Sequence, residues 1–372
     1  MPSGGGAPTA GGAVADDNPW MSGYRPPAVS DESAAAGAQA NPWLPDDRYV
    51  PGGGADSAPS MPPVTWPLVA KATYAKGNMV GIGKKLNQFA EELRGAEGNP
   101  IVPEVLGPML ESLASDATST DVSQELLATL GQLLTWPDDK VFPAVDLCKL
   151  LILRPGMQSH SEEIREQLLS SVLALGERMA AKLPNGEYAT VEKVRYANTR
   201  LALEFTTNLI AAGGAPGATV SAMPRFLALA QESCLKENKT EKRAALAVML
   251  NCTRCSETCV RSSDSAKMIV RTGSISYFQG GGAFPGEKAL CLSALSEYMS
   301  REVQRSLASG RFDCDVVGLE SALACLGNVL HGDSTARQLA TAAGMKDNLE
   351  KFIPMLPAAN AHSARAVAAL LA

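Results

Sequence analysis

The sequence predicts an all-α chain, a stack of repeated helices behind a disordered N-terminal arm. Three observations carry this. From residue 64 onward, apolar residues recur at helical spacing in segments of roughly 12–20 residues, separated by Pro, Gly and Asn/Asp clusters. Clear period-two strand patterns are missing. Four segments also end alike: Leu126–Leu134 (LLATLGQLL), Leu203–Ile210 (LEFTTNLI), Leu246–Cys252 (LAVMLNC) and Leu323–Leu330 (LACLGNVL). Each places a small-residue-rich apolar run before one amide, at Gln132, Asn208, Asn251 and Asn328. A unit of roughly 40 residues fits a solenoid of armadillo or HEAT-like helical repeats.

Residues 1–63 are rich in Gly, Ala, Pro, Ser and Asp, a composition that cannot bury enough apolar surface to offset its ordering entropy. They are expected to be a disordered arm. Two similar cassettes stand in it, Asn18-Pro19-Trp20 … Tyr24-Arg25-Pro26-Pro27 and Asn41-Pro42-Trp43 … Arg48-Tyr49-Val50-Pro51-Gly52. They suggest short docking motifs; chance similarity in a biased segment is the alternative.

The helices of residues 64–372 follow in order. Helical spacing covers Val80–Leu93, Ile101–Leu113, Val122–Leu134, Val141–Leu153, Glu162–Ala181, Val191–Ala211 and Ala222–Leu235. It resumes over Lys242–Cys255, Lys288–Leu307, Leu319–Leu330 and Thr335–Leu349. Asp121 and Ser161 precede acidic first turns and mark two starts. Asp138, after Trp136-Pro137, is expected to cap a helix. Small residues let successive helices stack closely. An amide on the last helix of each unit then lines the concave face, in a ladder able to grip an extended peptide backbone. The alternative is that each amide bonds a helix-end carbonyl or a loop.

Charge and composition exclude several classes. Residues 1–60 hold seven acids and two bases, a net of −5, which leaves 31 bases and 32 acids for the rest, a net of −1. A nearly neutral body lacks the Lys and Arg excess that nucleic-acid binding needs. No run of 18 apolar residues exists to span a membrane, and no secretory signal opens the chain. Eight cysteines, mostly inside helical patterns, suggest reduced buried thiols. Asn78–Lys85 (NMVGIGKK) imitates a phosphate loop but lacks Gly at Asn78, Ser or Thr at Lys85, and a preceding strand; it is expected to start a helix. Cys252, Cys255 and Cys259 have a spacing that could hold metal, with Cys291 as fourth ligand, but no histidine lies nearby; a helix end with one or two reactive thiols is the preferred reading. Neither a nucleophile elbow nor a paired-carboxylate motif is present. The chain is therefore not expected to be an enzyme, and no cofactor is expected.

One stretch is specific. Trp136-Pro137-Asp138-Asp139-Lys140-Val141-Phe142-Pro143-Ala144-Val145-Asp146-Leu147-Cys148-Lys149-Leu150 resembles the signature of the PUL domain of the phospholipase A-2-activating protein family. Trp66-Pro67 … Tyr74 … Asn78 … Lys85-Leu86 resembles that domain's opening, and Arg48-Tyr49-Val50-Pro51-Gly52 its preceding linker. The resemblance covers roughly residues 41–350. It implies a six-unit armadillo-like fold over 64–372, without the WD-repeat propeller and ubiquitin-binding domain that family members usually carry. It also implies a non-enzymatic adaptor of cytoplasm and nucleus in ubiquitin-dependent turnover. Its partners are then the acidic, tyrosine-bearing C-terminal tail of the valosin-containing-protein-type AAA ATPase and ubiquitin-pathway proteins. Lys149 matches the family's basic groove position. The second basic position is unmatched, because Glu320–Leu330 carries no Lys or Arg, and Arg243 or Arg337 are the substitutes. A generic helical-repeat scaffold for another peptide is the alternative function.

Overall fold

In the computed structural model, the described residues are 63–64, 66, 72–95, 107, 110, 122–154, 156–157, 162–212, 216–253, 259–261, 268–270 and 285–372. All of them lie in one compact unit, Val50–Ala372. The arm with its two Asn-Pro-Trp cassettes, most of the expected helix Ile101–Leu113, and Cys255 fall outside the described residues.

Twelve α-helices are described: α1 (Met79–Glu92), α2 (Gln124–Leu133), α3 (Phe142–Leu151), α4 (Glu162–Ala180), α5 (Glu192–Ala212), α6 (Pro216–Cys234), α7 (Lys239–Thr253), α8 (Pro285–Ser309), α9 (Val316–Leu330), α10 (Ser334–Ala342), α11 (Met345–Phe352) and α12 (Ala358–Leu370). They stack in two rows. In one row α1 packs on α3, and α3, α5, α7, α9 and α12 follow as neighbours. In the other, α2, α4, α6, α8 and α11 do the same. The chain is all-α and solenoidal, as the periodicity predicts. The first row is the more deeply buried. Nearly every residue of α7 from Glu241 to Thr253, and of α9 from Leu319 to Leu330, is out of solvent. Small side chains make this possible: Ala244, Ala245, Ala247, Ala322 and Ala324 let backbones approach on several sides at once.

Local chemistry sets the boundaries. Asn78 caps α1 by accepting from the Gly81 N–H, so the glycine-rich stretch opens a helix. Ser123 caps α2, two residues beyond the start that Asp121 suggested. Asp138 is not a cap: its carboxylate pairs with Arg178 of α4 at 2.9 Å, and its carbonyl accepts from Asn198 of α5. It lies in the turn before α3, which opens on Phe142-Pro143 with proline in the first turn, where a missing N–H costs nothing.

Three details depart from the periodic pattern. The expected helix Thr335–Leu349 is two helices, because Gly344 takes a left-handed φ of 70° between α10 and α11. α6 starts earlier than expected and runs through Pro224. A two-stranded antiparallel pair, β1 (Cys259–Arg261) with β2 (Met268–Val270), interrupts the helices after α7. Three-residue strands are too short to show as a period-two pattern.

Candidate functional site: an amide ladder holding an extended strap

The centre of the site is Asn208 on α5 and Asn251 on α7, both about 1% exposed or less. Asn251 accepts from the Ala72 N–H at 3.0 Å and donates to the Ala72 carbonyl at 2.9 Å. It also donates to the Thr207 carbonyl at 2.9 Å. Asn208 repeats the arrangement one helix along. It accepts from the Tyr74 N–H at 2.6 Å, and donates to the Tyr74 carbonyl at 3.1 Å and the Lys149 carbonyl at 2.9 Å. Each amide thus ties its own helix to the preceding one in the row and grips one residue of an extended segment. The ladder exists. Its occupant is the chain's own strap, residues 72–78, held before α1.

The strap crosses the row from late helices to early ones. The Trp66 indole lies on Gly327 of α9, where any Cβ would overlap the ring. Ala72 sits at α7, Tyr74 at α5, and Gly77 against Leu150 of α3. The carbonyls that receive the amides fix the register of the repeat. Thr207 and Lys149 each precede the ladder position of their helix, so Leu150 holds on α3 the place that Asn208 and Asn251 hold on α5 and α7. Gln132 is not a rung. It lies exposed on α2, in the other row, and its carbonyl serves Thr135. Asn328 is buried on α9 beside Gly327 and makes polar contact of its own.

Tyr74 brings charge into the description. Its phenol lies among Glu204, Arg200, Arg243 and Asp315, and burial first, then Glu204, pushes its ionisation well above the ordinary tyrosine range. It remains a neutral phenol. Lys149, 6% exposed, does not face solvent: Asp146 lies at 2.6 Å and Glu204 at 3.1 Å. Burial alone would lower its ionisation, but these two carboxylates outweigh that and raise it. Arg200 adds a longer contact to Glu204 at 3.8 Å. Asp146 therefore serves the lysine one turn on.

Arg243 forms a two-pronged pair with Asp315, with Nε at 2.7 Å from Oδ2. Asp315 also caps α9 through the Gly318 N–H at 2.8 Å. Burial would raise its carboxyl, yet Arg243 and this N–H hold it below the ordinary range. The Arg243 side chain keeps 40% of its surface in solvent. Arg337, on α10, is half-buried, with no described partner for its Nε.

Among the described residues Cys148, Cys234, Cys252, Cys291 and Cys325 are buried and Cys314 is half-buried. Burial pushes Cys148 and Cys234 up to about 12. Cys291 on α8 lies 3.6 Å from Cys325 on α9, and Cys252 is fully buried on α7. The Cys255 and Cys259 side chains lie outside the described residues, so the structure does not bear on a metal at that cluster.

This geometry meets its relatives at one point: the ladder, the strap and the Trp-Pro/Phe-Pro turn before α3 all lie within the reach of one family's pattern. The PUL domain profile matches residues 69–278. The chain belongs to the PUL domain family. It is 26% identical over 304 residues to the phospholipase A-2-activating protein of Xenopus laevis, covering 80% of this chain and 31% of that protein. The chain thus spans about a third of the length of this relative. In the PUL fold as this chain builds it, the residues absent from the sequence-based site are Tyr74, Glu204, Arg200 and Asp315. Tyr74 stood in the motif as an anchor of family resemblance. Only the fold shows that it is a groove residue.

No helix among the described residues is long and apolar enough to cross a membrane.

Proposed function

We propose that this PUL domain is a non-enzymatic adaptor of ubiquitin-dependent protein turnover, and that its helical-repeat groove binds the acidic, tyrosine-bearing C-terminal tail of a valosin-containing-protein-type AAA ATPase. The observation that carries the reading is the Asn208/Asn251 ladder, which already holds an extended backbone without regard to its sequence. The family membership supports the ubiquitin-pathway role. Arg243 is a better contact for the tail's carboxylates than Lys149, whose charge two buried carboxylates already balance. Arg337 stands as a second candidate, on α10.

Titration of a labelled peptide copying that tail is the test, by fluorescence anisotropy at low and moderate salt. Binding that falls steeply with salt and weakens in Arg243→Glu is the expected outcome. No measurable binding at low salt sinks the reading and leaves a scaffold for another peptide. Lys149→Glu is a poor probe, because it sets a third carboxylate beside Asp146 and Glu204 and damages the fold first.

A further inference from the structure

The strap is bonded along one edge only. In an extended chain the N–H and C=O of one residue point the same way, and those of the next residue point oppositely. Ala72 and Tyr74 each give both groups to a ladder amide. The backbone groups of Thr73 and Ala75 therefore face the other edge. Both residues are exposed, and no hydrogen bond engages either backbone among the described residues. An extended segment clamped on one side, with a solvated row of donors and acceptors on the other, is a template for a further strand.

Charge selects the occupant. From residue 64 to residue 90 the chain carries Lys71, Lys76, Lys84 and Lys85 and no Asp or Glu. Lys76, next to the free edge, and Lys84 on α1 are exposed and make no ion pair among the described residues. On the helices behind the strap, by contrast, Lys149 is balanced by Asp146 and Glu204, and Arg243 by Asp315. The uncompensated positive charge of this face thus belongs to the strap and the start of α1.

We infer that the strap is the receptor for the ligand backbone: an acidic, extended peptide adds as a strand along Thr73 and Ala75, with Lys76 meeting its carboxylates, while Asn208 and Asn251 keep the strap in place. This rests on the proposed role as a peptide-binding adaptor, but not on which protein supplies the peptide. It also provides, in Lys76, a second cation in place of the one that Glu320–Leu330 lacks.

The competing mode is displacement, in which the peptide evicts the strap and takes the ladder itself. Two variants of the full chain separate them. Thr73→Pro removes one N–H of the free edge and spares the ladder bonds; Tyr74→Ala loosens the strap. Two probes are titrated, the ATPase tail peptide and an acidic peptide of equal length and unrelated sequence. Hydrogen exchange at Ala72 and Tyr74 reports whether the strap stays seated.

Strand addition predicts that both variants weaken binding, Thr73→Pro by about tenfold or more, with Ala72 and Tyr74 still protected in Thr73→Pro and Thr73 and Ala75 newly protected in the wild-type complex. Tighter binding by Tyr74→Ala, with exchange at Ala72 and Tyr74 speeding up as peptide is added, overturns it in favour of displacement. Tail binding that Thr73→Pro leaves unchanged overturns it while keeping the proposed partner. Thr73-dependent binding of the unrelated acidic peptide, with none of the tail, upholds strand addition and removes that partner. Absence of binding by both peptides overturns both.

Discussion

Gln132 and Asn251 close two stretches of similar composition, LLATLGQLL and LAVMLNC, and the fold treats them in opposite ways. Asn251 is 1% exposed, spans from α7 to a carbonyl of α5, and holds Ala72 at both backbone groups. Gln132 stands in solvent on a helix of the other row. The difference teaches that an amide after a small apolar run marks a helix end, and that the row decides whether the amide becomes a rung. The rung of that first unit is Leu150, which meets the strap with apolar contact at Gly77 and makes no hydrogen bond to it.

The comparison breaks first at its buried side. Asn251→Ala removes three hydrogen bonds and takes the side-chain partner from both backbone groups of Ala72, and should cost about 3 kcal/mol in urea unfolding. Asn251→Gln should recover little of that, because the longer side chain cannot meet Ala72 and Thr207 together; full stability in this variant would mean that ladder geometry is unimportant. Next comes the strap's far anchor. Gly327→Leu puts a side chain where the Trp66 indole lies, with an expected cost of about 2 kcal/mol and faster proteolysis between residues 66 and 78.

A third, smaller effect asks whether a buried charge needs its partner. The Asp315 carboxyl is held below its ordinary range, so its contribution is present above the unfolded carboxylate value and is lost as pH falls through the folded one. Asp315→Asn should lose about 1.5 kcal/mol at neutral pH. The gap to wild type should close as acid protonates Asp315 in both states of the wild-type chain, and a gap that persists at low pH would assign the loss to packing. Gln132→Ala is last. Exposed and unbonded to the strap, it should change stability by no more than about 0.5 kcal/mol. A loss like that of Asn251→Ala would erase the distinction between the rows.

How much of this was legible in the sequence follows from contact range. Periodicity located most helices because burial of one face is a local pattern. It missed α12, Ala358–Leu370, whose alanines offer little apolar contrast, and it joined α10 to α11 across Gly344. The amides Asn208 and Asn251 were legible as a ladder because they recur at equivalent positions. Their occupant was not, because Ala72–Asn251 and Tyr74–Asn208 join residues 179 and 134 positions apart. Lys149 was legible as a basic residue of the Phe-Pro motif, but Glu204, which takes up its charge, lies 55 residues away on another helix.

The sequence by itself determined that this chain is a stack of amphipathic helices with small-residue seams and an amide near the end of several of them. Those are local properties, fixed by side-chain size, spacing and capping. Only the tertiary structure decided that Gln132 is surface, that the charge of Lys149 is paired, and that the groove's backbone-binding amides hold the segment just before α1. The reason is physical: a hydrogen bond or an ion pair acts over about 3 Å, and which groups come that close is set by stacking the whole row.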